Sequence, residues 1–147
     1  NHDVSDHRFE RRGLLHCELA IPGAAHHVHC VCVHLGLTGG GRRRQLQTLA
    51  SRMEQLVPET APLIIAGDFN DWRNHAEHIL ARPLGLMETF HAGRGKLARS
   101  FPSYRPILAL DRIYVRHFKV EQAEVHSGPP WSRLSDHAPL TASLGWN

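Results

Sequence analysis

The sequence has few cysteines and no long apolar run, and each shortage excludes a class of protein. Three cysteines, Cys17, Cys30 and Cys32, are too few and odd in number for a disulfide framework, which favours a reducing compartment. No uninterrupted apolar stretch approaches the roughly 20 residues that a membrane-spanning helix needs. We therefore expect a cytoplasmic protein without a transmembrane segment.

A strong excess of charge is also lacking. Seventeen Lys and Arg stand against fourteen Asp and Glu, which gives a formal net charge of +3 at pH 7. This mild basicity suits an anionic partner, but a domain built to grip a nucleic-acid duplex usually concentrates more positive charge on one face. The 147 residues, 41% of them hydrophobic, are enough for one domain with a core and exclude a disordered chain.

Apolar patterns predict a chain in which strands outnumber helices. Residues 14–21 and 27–35 are typical of the two strands of a hairpin that turns at Pro22-Gly23. Apolar residues at helical spacing predict a helix over 42–57. Further strands are predicted at 63–66, 110–115, 118–125 and 138–144. This order favours an α+β fold in which helices and a mixed sheet form layers.

Three local features complete this outline. Arg42, Arg43 and Arg44 are interpreted as a solvated face of the helix, with contact to a phosphate as the alternative. Asn74 is expected to cap a short helix that ends at Leu80. The glycines and basic residues of 91–99 predict an irregular, mobile loop.

The segment Leu63-Ile64-Ile65-Ala66-Gly67-Asp68-Phe69-Asn70 places polar groups at the end of an apolar run. The run predicts a buried strand, and Gly67 is expected to turn the chain as it leaves the sheet. Asp68 offers an oxygen to a cation or a proton, and the amide of Asn70 can donate to a phosphate oxygen while its own oxygen accepts. The pair indicates phosphoester chemistry, with an Asx turn as the alternative.

Further polar residues stand at other predicted strand ends. In order, His34-Leu35, Gly67-Asp68-Phe69-Asn70, Leu110-Asp111-Arg112-Ile113 and Ser135-Asp136-His137-Ala138-Pro139-Leu140 resemble the C-terminal half of the endonuclease/exonuclease/phosphatase superfamily. The resemblance covers nearly the whole chain and is closest to small bacterial members of undefined substrate. It implies that residues 1–147 are the C-terminal portion of a single domain, a DNase I-like sandwich of mixed, mainly antiparallel sheets.

The same resemblance implies a divalent-metal-dependent phosphoric ester hydrolase. By it, His137 contacts the phosphate and is oriented by Asp111, and Asp68 activates the attacking water. His34 stabilises the phosphate or the leaving group, and Asn70 holds the phosphate or a metal. Taken alone, His34 is equally compatible with a core histidine, Asp111 with an ion pair to its neighbour in the chain, and the segment around His137 with a turn.

The resemblance also implies an Mg²⁺ or Mn²⁺ ion bound through Asp136, Asp68 and Asn70, because these ions prefer oxygen ligands. One departure stands out: members of the superfamily carry an Asn near their start and a metal-binding Glu on a following strand. Neither motif is visible, and Glu10 does not stand at a strand end. There is also no initiating Met. We expect that the N-terminal part of the fold lies outside this sequence and that the fragment has little activity.

The substrate stays open at this point. Nucleic acid, a phospholipid headgroup, an inositol phosphate or a nucleotide would all place a phosphate at such a site. A different class of protein, a non-catalytic basic module that binds an anionic partner, is the alternative. Because an incomplete sheet leaves an unpaired edge, self-association is also expected.

A zinc site on the second predicted strand is a further candidate, since Cys30, Cys32 and His34 share one of its faces. Strand geometry argues against it. At about 3.3 Å per residue, Cys30 and His34 are roughly 13 Å apart, too far for one ion bound at about 2 Å. We therefore expect the two cysteines to act as small packing residues.

Overall fold

The computed structural model describes residues 2–3 and 13–147. Eight strands lie in these residues: β1 His2–Asp3, β2 Gly13–Leu19, β3 Val28–His34, β4 Leu63–Asp68, β5 Met87–Glu88, β6 Asp111–Arg116, β7 Phe118–Val125 and β8 Leu140–Trp146. Within the described part, the first six form one sheet in the order β1-β2-β3-β4-β6-β5, and β7 pairs with β8. The β3–β4 pair is parallel and the other pairs are antiparallel. The expected α+β fold with mixed, mainly antiparallel sheets is confirmed.

Helix α1, Gly39–Leu56, crosses from β3 to the parallel strand β4. Its buried apolar residues recur at helical spacing and pack on one face of the larger sheet. On the helix these residues are Leu46, Leu49, Ala50 and Met53, and on the sheet they include Val31, Val33, Leu63 and Ile65. The main core therefore lies between α1 and this face. No helix in the described ranges is both long and apolar enough to cross a membrane.

The two-stranded sheet covers part of the opposite face. Val28, Val115 and Phe118 form a second buried cluster, against which half-buried residues of both sheets pack. These residues are Cys30, Ile64, Ile113, Val120 and Leu144. The layers are thus helix, larger sheet and smaller sheet.

Most predicted strands lie within two residues of their observed positions. The hairpin is confirmed as β2 and β3, and β7 has the predicted bounds. The helix, however, begins at Gly39 instead of Arg42. The Arg42 N–H already donates to Thr38 O at 2.9 Å, so the three glycines form the first turn. Glycines have no side chain that could contribute to a helical spacing of apolar residues. The spacing in the sequence therefore predicts a helix that begins three residues after the observed start.

The expected cap at Asn74 is wrong. A backbone N–H before this segment is bound instead by Asp71, whose Oδ2 accepts from the Ala76 N–H at 2.7 Å. Asn74 has a φ of 56°, and its buried Oδ1 has no hydrogen-bond partner. The segment that follows is a π-helical turn, Glu77–Ala81.

The irregular loop predicted for 91–99 begins in a helix instead. Helix α2 spans Thr89–Arg94 and is capped by Glu88, whose carboxylate accepts from the His91 N–H at 2.7 Å. It ends at Gly95, which adopts a left-handed φ of 68°. Glutamate is an unusual cap, so the start of this helix carries no standard sequence signal.

Gly67 lies inside β4, not at a turn beyond the strand as expected. It pairs with Val33 on one side and Arg112 on the other. Its φ is 141°, and a Cβ atom added there would lie 2.0 Å from the Val33 carbonyl oxygen. The backbones of β3 and β4 therefore approach at a distance that only glycine permits.

We expect Gly67→Ala to lower the free energy of unfolding by at least about 2 kcal/mol, because it adds both backbone strain and a clash with a carbonyl group. Gly93→Ala in α2 is the matched control, since nothing lies within 4 Å of its added Cβ. The control should be neutral or slightly stabilising. Urea denaturation measures both variants, and equal stability of the two would contradict the close approach.

Candidate active site

Three of the expected site residues lie side by side at one end of the larger sheet. His34 closes β3, Asp68 closes β4 and Asp111 opens β6, and the strand register pairs Asp68 with both of the others. Paired residues on neighbouring strands project from the same face of a sheet. The three side chains therefore form one row, in which His34 Nε2 lies 3.4 Å from Asp68 Oδ2.

Asn70 forms a turn against this row. It is buried and has a φ of 49°, a left-handed conformation that Asn tolerates. Its backbone N–H donates to Asp68 Oδ1 at 2.8 Å, which makes an Asx turn. Its Nδ2 donates to Leu35 O at 2.9 Å and to Asp68 Oδ2 at 3.2 Å. Both amide hydrogens thus have acceptors within the protein, and Oδ1 is the side-chain atom left for a ligand.

His137 is joined to the row by a hydrogen bond. Its Nδ1 lies 2.7 Å from Asp111 Oδ2, and its ring packs 5.0 Å from that of Phe101, centroid to centroid. Arg112, the alternative partner of Asp111, donates instead to the backbone carbonyls of Ala109 and Asp111. Because Nδ1 is held by the carboxylate, Nε2 is the ring nitrogen that remains for a ligand.

A cavity of about 610 Å³ opens over these residues. Its polar lining consists of the six residues predicted from sequence: His34, Asp68, Asn70, Asp111, Asp136 and His137. Its apolar lining consists of Leu37, Trp72, Phe101, Leu108 and Leu110. Asp136 is exposed and stands at the rim. The structure thus brings all six predicted residues to one cavity.

Two groups at the cavity have shifted pKa values. Burial raises the pKa of Asp68, and the charge of Asp111 adds to this, while the hydrogen bond from the Asn70 N–H opposes it. Burial alone would lower the pKa of His137. The hydrogen bond to Asp111 and the charges of Asp111, Asp68 and Asp136 outweigh burial, so the pKa of His137 is raised.

The donors at the cavity suit an ion that prefers oxygen. Asp68, Asp111, Asp136 and the Oδ1 of Asn70 supply these oxygens, and Asp111 Oδ2 is already bound by His137. These oxygens do not surround one position closely on all sides. Among residues 2–3 and 13–147, the group in which three His, Cys, Asp or Glu ligand atoms lie within 4.8 Å of one another is at a different place in the fold. Mg²⁺ commonly keeps several waters and takes one or two protein carboxylates together with substrate oxygens. The donor set fits that open mode of binding.

Sequence reasoning missed the serines that hold the loop before β8. Ser103 Oγ donates to Ser135 O at 2.6 Å, and the Ser103 N–H donates to Asp136 O at 2.7 Å. The Ala138 N–H donates to Ser100 O at 2.7 Å. These contacts fix the loop that carries His137. Both serines lie in an irregular stretch, where no periodic pattern distinguishes them.

Arg42 also has a role that was not predicted for it. Its guanidinium is buried, not solvated, and donates to the carbonyl oxygens of Gly36 and Leu37 at 3.2 and 3.0 Å. It lies 3.9 Å from Asp71 Oδ1 and stacks 4.8 Å over the ring of Trp72. Arg42 thus holds two walls of the cavity in place. Arg43 and Arg44 are exposed, as the helix-face interpretation predicted.

Comparisons with known proteins agree with this geometry. A profile of the Endonuclease/Exonuclease/phosphatase family matches residues 2–137. The uncharacterized protein YbhP of Escherichia coli K12 is 43% identical over 144 residues, which are 98% of this chain and 56% of YbhP. The chain therefore spans little more than half the length of this relative. It belongs to the endonuclease/exonuclease/phosphatase family.

Two solved structures illustrate the shared fold. D. rerio TDP2 in complex with a single strand DNA product superposes with a TM-score of 0.77 at 17% identity, covering 97% of this chain and 66% of TDP2. The mannosyl-6-phosphatase of Bacteroides thetaiotaomicron superposes with a TM-score of 0.76 at 15% identity, covering 99% of this chain and 64% of the phosphatase. These likenesses confirm the DNase I-like fold.

We expect Asp111→Asn to lower the pKa of His137, because the variant removes a charge and a hydrogen bond that favour the imidazolium. In the wild type, the interaction of His137 with Asp111 stabilises the folded state. This contribution is fully present below the pKa that His137 has in the unfolded state, and it is lost as the pH rises through the raised pKa of the folded state. An NMR titration of the His137 ring measures the shift. Asp136→Asn removes only the smallest of the contributing charges and should produce a smaller decrease. A larger decrease in Asp136→Asn would contradict the assigned cause.

Proposed function

We propose that the protein is a divalent-metal-dependent hydrolase of phosphoric esters. The family supports phosphoesterase activity in general. The observation that carries the proposal for this chain is the row of His34, Asp68 and Asp111, with His137 bonded to its end, beneath one cavity. Phosphoester hydrolysis needs an activated water, donors for the charge that grows on the phosphoryl oxygens, and a proton or cation for the leaving oxygen.

Asp68 is the proposed general base. Its carboxylate is held by Asn70 and lies next to His34, so its position relative to the cavity is fixed. A carboxylate with a raised pKa binds a proton more strongly, and it acts as a base above that pKa. His34 lies next to Asp68 with its side chain half exposed to the cavity, where it can meet the phosphate or the leaving oxygen.

His137 is the proposed phosphate donor. Asp111 keeps its Nδ1 occupied and raises its pKa, so the imidazolium with a free Nε2–H persists to higher pH than in an ordinary histidine. A donor of this kind is most effective when it is fixed before the reaction begins. The packing of the ring on Phe101 contributes to that fixation.

Asp136, Asp68 and Asn70 are the proposed ligands of Mg²⁺ or Mn²⁺. When bound, such an ion would supply a positive charge to the phosphoryl oxygens. Because these three residues leave an open set of donors, we propose that a further ligand, a Glu that these residues do not supply, belongs to the whole protein. This residue range alone should then bind the ion weakly and show little activity.

The apolar wall of the cavity favours an ester that carries a planar or apolar group beside its phosphate. Trp72 is half exposed, and Leu37 and Leu108 present further apolar surface. A nucleobase would stack on such a wall, and TDP2, which shares the fold, is known with a single strand DNA product. We propose that the substrate is a nucleic acid or a nucleotide, in preference to a sugar phosphate or a phospholipid headgroup.

The test is hydrolysis by the longest product of the gene that contains these residues. The substrates are bis(p-nitrophenyl) phosphate and a single-stranded oligonucleotide, assayed after chelation and then with added Mg²⁺ or Mn²⁺. Asp68→Asn should lower kcat by about 10²–10⁴, the usual contribution of a general base. Glu54→Gln, an exposed carboxylate on α1, is the control and should keep full activity.

The non-catalytic alternative gives a different result. A module that only binds an anion should hold the oligonucleotide without added metal and keep this affinity in Asp68→Asn. Absence of metal-dependent hydrolysis of any ester, together with unchanged binding, would refute the hydrolase.

We also propose that residues 1–147, taken alone, self-associate. On the face opposite α1, Leu15 and Leu19 are 52% and 46% exposed, and Cys17 and Cys32 beside them are exposed as well. Such an apolar sheet face favours burial against another surface. Sedimentation velocity should show a species larger than a monomer that decreases in Leu15→Lys. A monomer at high concentration would exclude this proposal.

A further inference from the structure

A second group of metal-binding side chains lies on the other face of the larger sheet. His16 and Glu18 are two residues apart on β2, so they share a face, and Glu18 pairs directly with His29 on β3. One ligand atom from each residue lies within 4.8 Å of the other two. The candidate active site does not use any of the three.

The two histidines are already directed at each other. His16 Nε2 lies 2.9 Å from His29 Nδ1, and the ring centroids are 5.1 Å apart. His29 is 6% exposed, His16 is half-buried, and Glu18 is exposed, so the group is buried on one side and open on the other. In the absence of an ion, one neutral ring donates to the other. Because the two nitrogens now face each other, at least one ring must rotate for both to face one ion.

We propose that His16, Glu18 and His29 bind a divalent transition-metal ion, with zinc as the preferred one. Two imidazoles and a carboxylate form a known three-ligand set for zinc, and a fourth position is left for water or another side chain. With metal–ligand distances of about 2.0–2.2 Å, ligand atoms in a tetrahedral site are roughly 3.3 Å apart, within the range these atoms already span. Imidazole ligands disfavour Mg²⁺ and Ca²⁺.

His27 is placed to supply the fourth ligand. Its Nδ1 lies 3.7 Å from Glu18 Oε2 and its side chain is exposed, but it lies outside the group of three and would have to turn toward the two histidines. It precedes β3, on the open side of the group, where water also has access. The ion would join β2 to β3 through side chains in addition to their backbone ladder.

This site is separate from the candidate active site. His29 pairs with Leu63 and His34 with Asp68, which places the two sites five residues apart along the strands, roughly 16 Å. Five is an odd number, so the two histidines also project from opposite faces. An ion bound at His29 therefore cannot contact the phosphoester, and its effect should be on the stability of the hairpin.

The experiment is a titration of the metal-free protein with Zn²⁺ by calorimetry and with Co²⁺ by visible absorption. We expect an absorption band typical of tetrahedral Co²⁺. At a Zn²⁺ concentration 100 times the Kd, the Tm should rise by roughly 5–10 °C. His16→Ala should weaken binding at least about 100-fold, because loss of a ligand costs more than loss of an outer partner. Glu18→Gln, an exposed position that leaves the core unchanged, should weaken it as well.

His78→Ala and Asp68→Asn are the controls. His78 is an exposed histidine outside the hairpin, and Asp68 belongs to the other site. Both variants should keep the Co²⁺ band and the rise in Tm. The proposal is overturned if the wild type shows no tetrahedral band, if His16→Ala and Glu18→Gln bind as the wild type does, or if Asp68→Asn abolishes the band.

Discussion

The close approach of β3 and β4 at Gly67 is the constraint on which the candidate active site depends. The Val33 carbonyl lies where any larger residue would place its Cβ atom. Because the strands meet here without a side chain between them, their parallel register continues one residue further, to His34 and Asp68. The antiparallel register with β6 then brings Asp111 beside Asp68. Three ionisable groups from distant parts of the chain thus become neighbours through backbone pairing, and their order requires no contact among the side chains themselves.

Buried charge, not regular structure, fixes the loops beyond these strand ends. Arg42 donates to the carbonyls of Gly36 and Leu37, and Arg112 donates to the Asp71 carbonyl at 3.1 Å. Where the chain leaves a sheet, its backbone carbonyl groups no longer have hydrogen-bond partners in a neighbouring strand. A buried guanidinium can donate hydrogen bonds to several of these carbonyl groups at once. The Asp71 carboxylate near Arg42 offsets part of the cost of burying that charge. The turn that carries Asn70 and the wall formed by Trp72 are therefore held by a network that is itself almost inaccessible to water.

Short-range patterns predicted six of the eight described strands, and the resemblance to the family indicated the ionisable residues that line the cavity. An apolar run followed by Asp is visible in the sequence, and the predicted bounds of β7 agree with the observed ones although a register shift interrupts its alternation between Val120 and Gln122. The roles of Arg42 and Asp71 were not predictable in this way, because each depends on a partner 5 to 41 residues away in the chain that only the fold identifies. The start of α1 could not be predicted because its first three residues are glycines, which show no helical spacing of apolar side chains. The start of α2 could not be predicted because its N-cap is Glu88, a residue type that is not typical of this position. Gly67 was recognised as special for the wrong reason: a turn was expected, whereas the structure shows close backbone contact.

The two faces of β3 carry two different sets of potential metal ligands within seven residues. His34 lies on the face that carries Asp68 and Asp111, where oxygen donors dominate and hard ions such as Mg²⁺ are favoured. His29 lies on the opposite face with His16, where imidazole nitrogens dominate and borderline ions such as Zn²⁺ are favoured. The alternation of side chains along a strand prevents either histidine from joining the other set. Under the two proposals, an ion that prefers nitrogen would bind at the hairpin, and the oxygen-rich cavity would remain available to the ion of the proposed phosphoester hydrolysis.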